Sequence, residues 1–230
     1  MTAMLEDLEK RIGYVFKDKK ILHLALTHSS YAYETKTDEN NERLEFLGDS
    51  VLGLIVSDYI FSNEKTLPEG DLTKLRSSLV CERALAKYAV SIDLGSYLFL
   101  GKSEIKTEGQ KRPSILADAF EALIAAIYKD GGYKPAKKFV LEAVSEDIAG
   151  GGRCGSGDYK TMLQEITQQN KEEKLSYKTV EEKGPDHDKT FVVELLLNSN
   201  VIATGNGRSK KNAEQDAAKK ALELMGIEVR

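Results

Sequence analysis

The feature that most narrows the possible folds is a change of hydrophobic period on either side of one glycine tract. The stretch Gly150-Gly151-Gly152-Arg153-Cys154-Gly155-Ser156-Gly157 holds five glycines and no large apolar side chain. It can bury little, so it is expected to act as a flexible linker, residues 150–157, between two domains. Upstream, apolar residues recur at helical spacing: Leu44, Leu47, Val51, Leu54 and Ile55, then Leu72, Leu75, Leu79 and Val80, then Phe139, Leu141 and Val144. Residues 1–149 are therefore predicted to be all-α. Downstream, Phe191, Val193, Leu195 and Leu197 alternate, and Val201-Ile202-Ala203-Thr204 follows the turn Asn198-Ser199-Asn200, which predicts a hairpin. Leu175 to Val180 supplies a third strand. Asp158 and Ser209 suit the N-caps of helices ending near Gln169 and Met225. Residues 158–230 thus read as a small α+β domain in the order α-β-β-β-α.

Bulk charge points to no partner. Lys and Arg number 33 against 37 Asp and Glu, a formal charge of −4, so any polyanion must be recognised by local placement of cations. No apolar run has the length of a membrane span, and the acidic start has no secretion-signal layout. Cys81 and Cys154 form neither a CxxC pair nor a disulfide framework. A cytoplasmic location is expected and a membrane is not.

The chemistry lies in the carboxylates. Glu42, Glu45 and Asp49 are three and four residues apart, which puts them on one helix face. Spacing alone favours a solvated face, opposite the stripe of Leu44, Leu47, Val51 and Leu54. From Ile115 to Tyr128, however, every residue is apolar except Asp118 and Glu121, and a helix apolar nearly all round is usually buried. Two unpaired carboxylates there need cations, strong donors or a raised pKa. A buried salt bridge to Arg or Lys is one answer and a metal ion another. Carboxylate oxygens are hard ligands that suit Mg²⁺, with Mn²⁺ as a substitute, and the histidines His23, His28 and His187 show no zinc-like spacing. If the two acidic patches meet, Glu45, Asp49, Asp118 and Glu121 could hold an ion that activates water against a phosphodiester.

Other chemistries fit less well. Gly95 to Ser103 approaches a phosphate-binding loop but has five residues between its glycines, three of them bulky, so no nucleotide cofactor is expected. His23 and His28 sit among leucines and suit core or helix-end positions, and there is no GxSxG elbow. In the second domain, Lys210 and Lys211 stand where the last helix starts, beside its free N–H groups, an arrangement that binds phosphate. On that helix Ala213, Ala217, Ala221 and Leu224 are spaced to lie against a sheet. Thr161, Gln164, Glu165 and His187 offer short polar contacts suited to RNA 2′-hydroxyls, though each alone would pass for a surface residue.

These residues resemble those of a known family. Asn41 to Ser50 (NERLEFLGDS after a further asparagine), Ser114 to Leu123 (SILADAFEAL), Ala25 to Ser30 and Glu69 to Leu72 are similar to motifs of bacterial ribonuclease III. Asp158 to Thr161, Gly184-Pro185 and Lys210 to Ala213 resemble the double-stranded RNA-binding domain. The resemblance implies that Glu45, Asp49, Asp118 and Glu121 ligate Mg²⁺, with Asp49 and Glu121 catalytic and Glu42 and Glu69 lining the cleft. It implies RNA contacts by Thr161, Gln164, His187, Lys210 and Lys211. It also implies a homodimer in which Phe46 packs into the partner. The activity implied is hydrolysis of double-stranded RNA to 5′-phosphate and 3′-hydroxyl ends with short 3′ overhangs, in processing rRNA and mRNA precursors. The rival class is a protein that binds structured RNA without cutting it.

Overall fold

The computed structural model describes residues 2–149, 159–167, 174–184 and 189–227. The chain divides into two units, Met1–Cys154 and Gly155–Arg230, each described here by itself. The linker tract and the proposed Asp158 cap lie outside the described residues.

The first unit is helical throughout: α1 (Thr2–Ile12), α2 (Lys19–Ala25), α3 (Ser29–Thr35), α4 (Glu42–Asn63), α5 (Glu69–Val80), α6 (Glu82–Ser91), α7 (Lys102–Lys106), α8 (Pro113–Gly131) and α9 (Tyr133–Ala149). Its organising element is α8. Pro113 opens that helix at a position where a missing N–H costs nothing, and the apolar run that follows is buried from Ile115 to Ile127 except at Asp118 and Glu121. It packs against α2, α4, α6 and α9. Removing a side chain such as Phe120 or Leu123, both fully buried, would cost about 2–5 kcal/mol. At its far end the Asp130 carboxylate accepts hydrogen bonds from the Tyr14 hydroxyl (2.6 Å) and the Lys17 and Asp18 backbone N–H groups (3.0 and 2.9 Å).

The partner helix α4 buries Leu44, Gly48, Val51, Leu52, Ile55, Val56 and Ile60. One expectation fails here: Leu54 does not share the buried stripe but is 59% exposed, on a side with Phe46 (79%) and Phe61 (76%). Helical spacing admits this because α4 is apolar on two sides, and only one of them meets α8. Between α2 and α3, Thr27 bridges Phe99, and the Asn41 N–H donates to the Thr27 carbonyl at 2.9 Å, so that loop fixes where α4 begins.

The second unit contains α10 (Tyr159–Thr167), β1 (Leu175–Lys183), β2 (Thr190–Leu197), β3 (Asn200–Gly207) and α11 (Lys210–Leu224). The sheet is antiparallel in the order β1-β2-β3. Asn198 and Ser199 both take positive φ (49° and 73°), the two-residue turn whose twist matches a hairpin. The Ser209 hydroxyl caps α11 by accepting from the Asn212 N–H at 3.2 Å. Ala217, Ala218, Ala221 and Leu222 pack with Leu163, Leu195 and Ala203 in the core and Ala213 is buried as well, whereas Leu224 is exposed, contrary to its expected place on that seam. Approach is close enough that a Cβ on Gly205 would come within 2.8 Å of the Ala217 Cα, and one on Gly207 within 2.7 Å of the Asn212 carbonyl carbon.

Candidate active site

The acidic residues come from two crossing helices. Glu42, Glu45 and Asp49 occupy the first two turns of α4, and Asp118 and Glu121 the second and third of α8. What lets them meet is Gly48. A Cβ there would overlap the Glu121 carbonyl and stand 3.0 Å from the Glu121 Cα, so the helices touch backbone to backbone beside the acids.

The electrostatics register the meeting. Burial, and then the carboxylates of Asp49, Glu45 and Asp118, push the Glu121 pKa up to about 8. Burial raises Glu45 too, followed by the charges of Asp118 and Glu42. Asp118 is raised by burial and by Glu82, with His28 opposing. Glu45, Asp118 and Glu121 are half-buried, while Glu42 and Asp49 are exposed. The side chains of Glu45, Asp49, Asp118 and Glu121 make no hydrogen bond or ion pair with a described residue, so a salt bridge does not account for Asp118 and Glu121.

The donor chemistry of this set fits a hard divalent cation: up to four carboxylates, mutually repelling, with no Lys or Arg among the described residues paired to them. They face one another without closing. Among the described residues no three such groups converge tightly enough to clasp an ion as they stand, as expected of carboxylates holding each other apart.

The remaining sequence candidates are scattered. Glu69 lies exposed in the first turn of α5, accepts the Thr73 hydroxyl at 3.0 Å, and is not among the groups acting on Glu45, Asp118 or Glu121. Phe46 points away from the core, on the exposed side of α4. Lys210 pairs with Glu182 (2.9 Å) and sits 5.7 Å over the Phe191 ring, so it is already engaged; Lys211 and Gln164 are exposed. His187 and the side chains of Thr161 and Glu165 lie outside the described residues. Three residues that sequence reasoning did not assign to the site bear on it: Gly48 as spacer and, through their charge on Asp118, Glu82 at the start of α6 and His28 before α3. The motif around Gly48 was visible, but its close approach depends on a residue more than 70 positions away.

The structure thus defines a two-unit protein: a helical unit with a centre of carboxylates drawn from two crossing helices, followed by an α-β-β-β-α unit. Comparison with known proteins makes this specific. Residues 18–148 match the family model described as ribonuclease-III-like, and residues 159–225 match the double-stranded RNA binding motif. Ribonuclease 3 of Caldanaerobacter subterraneus subsp. tengcongensis is 49% identical over 97% of this chain and 99% of its own. That of Oceanobacillus iheyensis is 46% identical over 95% and 97%. The solved nuclease domain of ribonuclease III from Campylobacter jejuni superimposes with a TM-score of 0.59 at 44% identity, covering 63% of this chain and 99% of that one. The chain belongs to the ribonuclease III family. Among the described residues no helix is long and apolar enough to cross a membrane.

Proposed function

We propose that this chain is an Mg²⁺-dependent endoribonuclease that cuts double-stranded RNA in the cytoplasm. It leaves 5′-phosphate and 3′-hydroxyl ends with short 3′ overhangs, and it processes rRNA and mRNA precursors. Residues 1–149 form the catalytic and dimerisation domain and residues 158–230 the RNA-binding domain, joined by 150–157. The observation that carries the reading is the Glu121 carboxyl, pushed to a pKa of about 8 by burial and three neighbouring acids, with no cationic side chain among the described residues paired to it. A fold tolerates such a group where an ion is to be bound.

Glu45, Asp49, Asp118 and Glu121 hold the metal, and Asp49 and Glu121 stand closest to the scissile phosphate. When bound, Mg²⁺ makes the attacking water more acidic and stabilises charge on the leaving oxygen. The chain's own share is to fix the carboxylates on two rigid helices, pinned together at Gly48, so that their spacing does not depend on a loop. Glu42 adds negative charge beside Glu45, and Glu69 lines the cleft. In the second domain Lys211, with Lys210 once released from Glu182, binds phosphate at the start of α11, and Thr161, Gln164 and His187 contact the minor groove.

The active species is a homodimer. Phe46, Leu54 and Phe61 are spaced eight and seven apart, within roughly 80° of one another on α4, and form an exposed apolar stripe. A second copy covers it, with Phe46 packed into the partner.

The test is a long, perfectly paired RNA incubated with wild type and with Glu121→Ala, each with Mg²⁺ and with chelator, measuring cleavage and binding separately. Mg²⁺-dependent cuts by wild type alone, with RNA still bound by the variant, support the reading. RNA that wild type binds but leaves intact under every metal tried overturns it in favour of a non-cleaving RNA-binding protein.

A further inference from the structure

Lys210, the first residue of α11, does not reach into open solvent from its helix end. Its ammonium lies 2.9 Å from a Glu182 carboxylate oxygen and 5.7 Å over the Phe191 ring. The sheet explains the reach. Glu182, Phe191 and Gly207 are register partners on β1, β2 and β3, so they form one row, on the face that Leu195 turns to the alanines of α11. Gly207 has no side chain, and a Cβ there would stand 2.5 Å from the Ala213 nitrogen. The start of α11 therefore rests on the β3 end of the row, and Lys210 crosses Phe191 to meet Glu182 at the β1 end. The register shift between Thr179 and Glu181 decides which glutamate it meets. Glu182 shares the helix-facing side with Tyr177 and Thr179, whereas Glu181 faces the other way and pairs with Lys183 at 2.8 Å.

Lys211, next along the chain, is exposed and has no ion pair among the described residues. The two lysines that stand at this helix start are thus in different states. An ammonium has three donors but a single charge, and it meets carboxylate and phosphate oxygens through the same kind of charge-assisted hydrogen bond. A phosphate brought against Lys210 while Glu182 stays in place would face the carboxylate's negative charge. Both members of the pair are exposed, and exposed pairs add little to stability. What the pair governs is the availability of Lys210.

We infer that Glu182 is an internal competitor for the RNA backbone: it occupies Lys210 in the free protein, and a phosphate takes that lysine only by displacing the carboxylate. This rests on the reading of Lys210 as a phosphate contact. Lys211 meets RNA at once, whereas Lys210 joins by exchange, and part of its attraction for phosphate goes to undoing the pair. Glu182 therefore holds the module's grip below what its cations alone would give, on substrate and on cut product alike.

The experiment measures binding of a perfectly paired RNA to the full chain, in chelator so that binding is read without cutting, over a range of salt. Glu182→Gln keeps the side chain's size and removes its charge. It should tighten binding by about two- to fivefold at low salt, the factor an exposed ion pair is worth, and the gain should shrink as salt screens the pair. Glu181→Gln removes the same charge from the opposite face of β1 and should gain distinctly less. Both substitutions fall at exposed positions and leave the core untouched. In a Lys210→Ala background, where binding is weaker, Glu182→Gln should gain no more than Glu181→Gln does. Unchanged or weaker binding by Glu182→Gln, an equal gain in Glu181→Gln, or a full gain without Lys210 each overturns the inference. Failure of the underlying reading is distinct: Lys210→Ala alone would then bind RNA as tightly as wild type, and the inference falls with it.

Discussion

Replacing Gly48 with alanine adds one methyl group where α4 meets α8, and the structure says how much room is missing. The new Cβ would overlap the Glu121 carbonyl and lie 3.0 Å from the Glu121 Cα, where carbon atoms prefer about 3.5–4.0 Å. Both obstructing atoms are backbone atoms of a buried helix, so no side chain can rotate out of the way. The helices must part by about 1 Å, in a core where overpacking costs about 1–3 kcal/mol. The same displacement carries Glu121 away from Asp49 and Glu45. A shift of about 1 Å in reacting groups can lower turnover about 100-fold. Gly48→Ala should therefore melt several degrees lower yet remain folded. It should bind paired RNA normally, need more Mg²⁺, and cut at a small fraction of the wild-type rate even at saturating metal. Melting by circular dichroism, an Mg²⁺ titration of cleavage and an RNA-binding assay separate these effects. A variant with wild-type turnover and Mg²⁺ requirement would refute the claim that this close approach sets the site.

Other perturbations probe the same architecture. Glu121 prefers its protonated form in the fold, with a pKa of about 8 against 4.5 ordinarily, so the stability it contributes is present below about pH 4.5 and lost as pH rises through about 8. Glu121→Gln should thus gain on wild type between pH 5 and pH 9 in chelator, by ~1–2 kcal/mol after solvent screening of a half-buried group. A pH-independent difference in urea unfolding would contradict it. Lys210→Ala with Lys211→Ala should weaken RNA binding and reduce its salt slope by about one to two, and an unchanged slope would remove these lysines from the phosphate contacts. Leu54→Lys with Phe61→Lys should yield a monomer in sedimentation, whereas a persisting dimer would place the interface elsewhere.

Legibility in the sequence followed the range of the interaction. The run from Ile115 to Tyr128 announces a buried helix because its signal is local, and Asp118 and Glu121 stand out from it as the exceptions. The turn at Asn198 and Ser199 and the cap at Ser209 are equally local, and both form. Leu54 and Leu224 mislead because spacing identifies an apolar stripe without saying which stripe finds a partner inside the chain. The charges that Glu82 and His28 exert on Asp118 cannot be read from the sequence, since they come close only once the cap of α3, α6 and α8 are packed. The two register shifts in the sheet, at Thr179/Glu181 and Leu195/Leu196, are likewise invisible to alternation, which assumes an unbroken ladder.

The close seating of α11 on β3 divides that helix into two inheritances. Its inner row of alanines and the glycines opposite are fixed by distance: any larger residue would have to displace backbone, so this row is closed to change. The outer surface is looser: Lys220 still ties the helix to the Thr204 carbonyl (3.0 Å), but Lys211 is exposed and can change at little cost to the fold. If the outer face meets RNA as proposed, affinity can drift on one side of the helix while the other side keeps the domain intact.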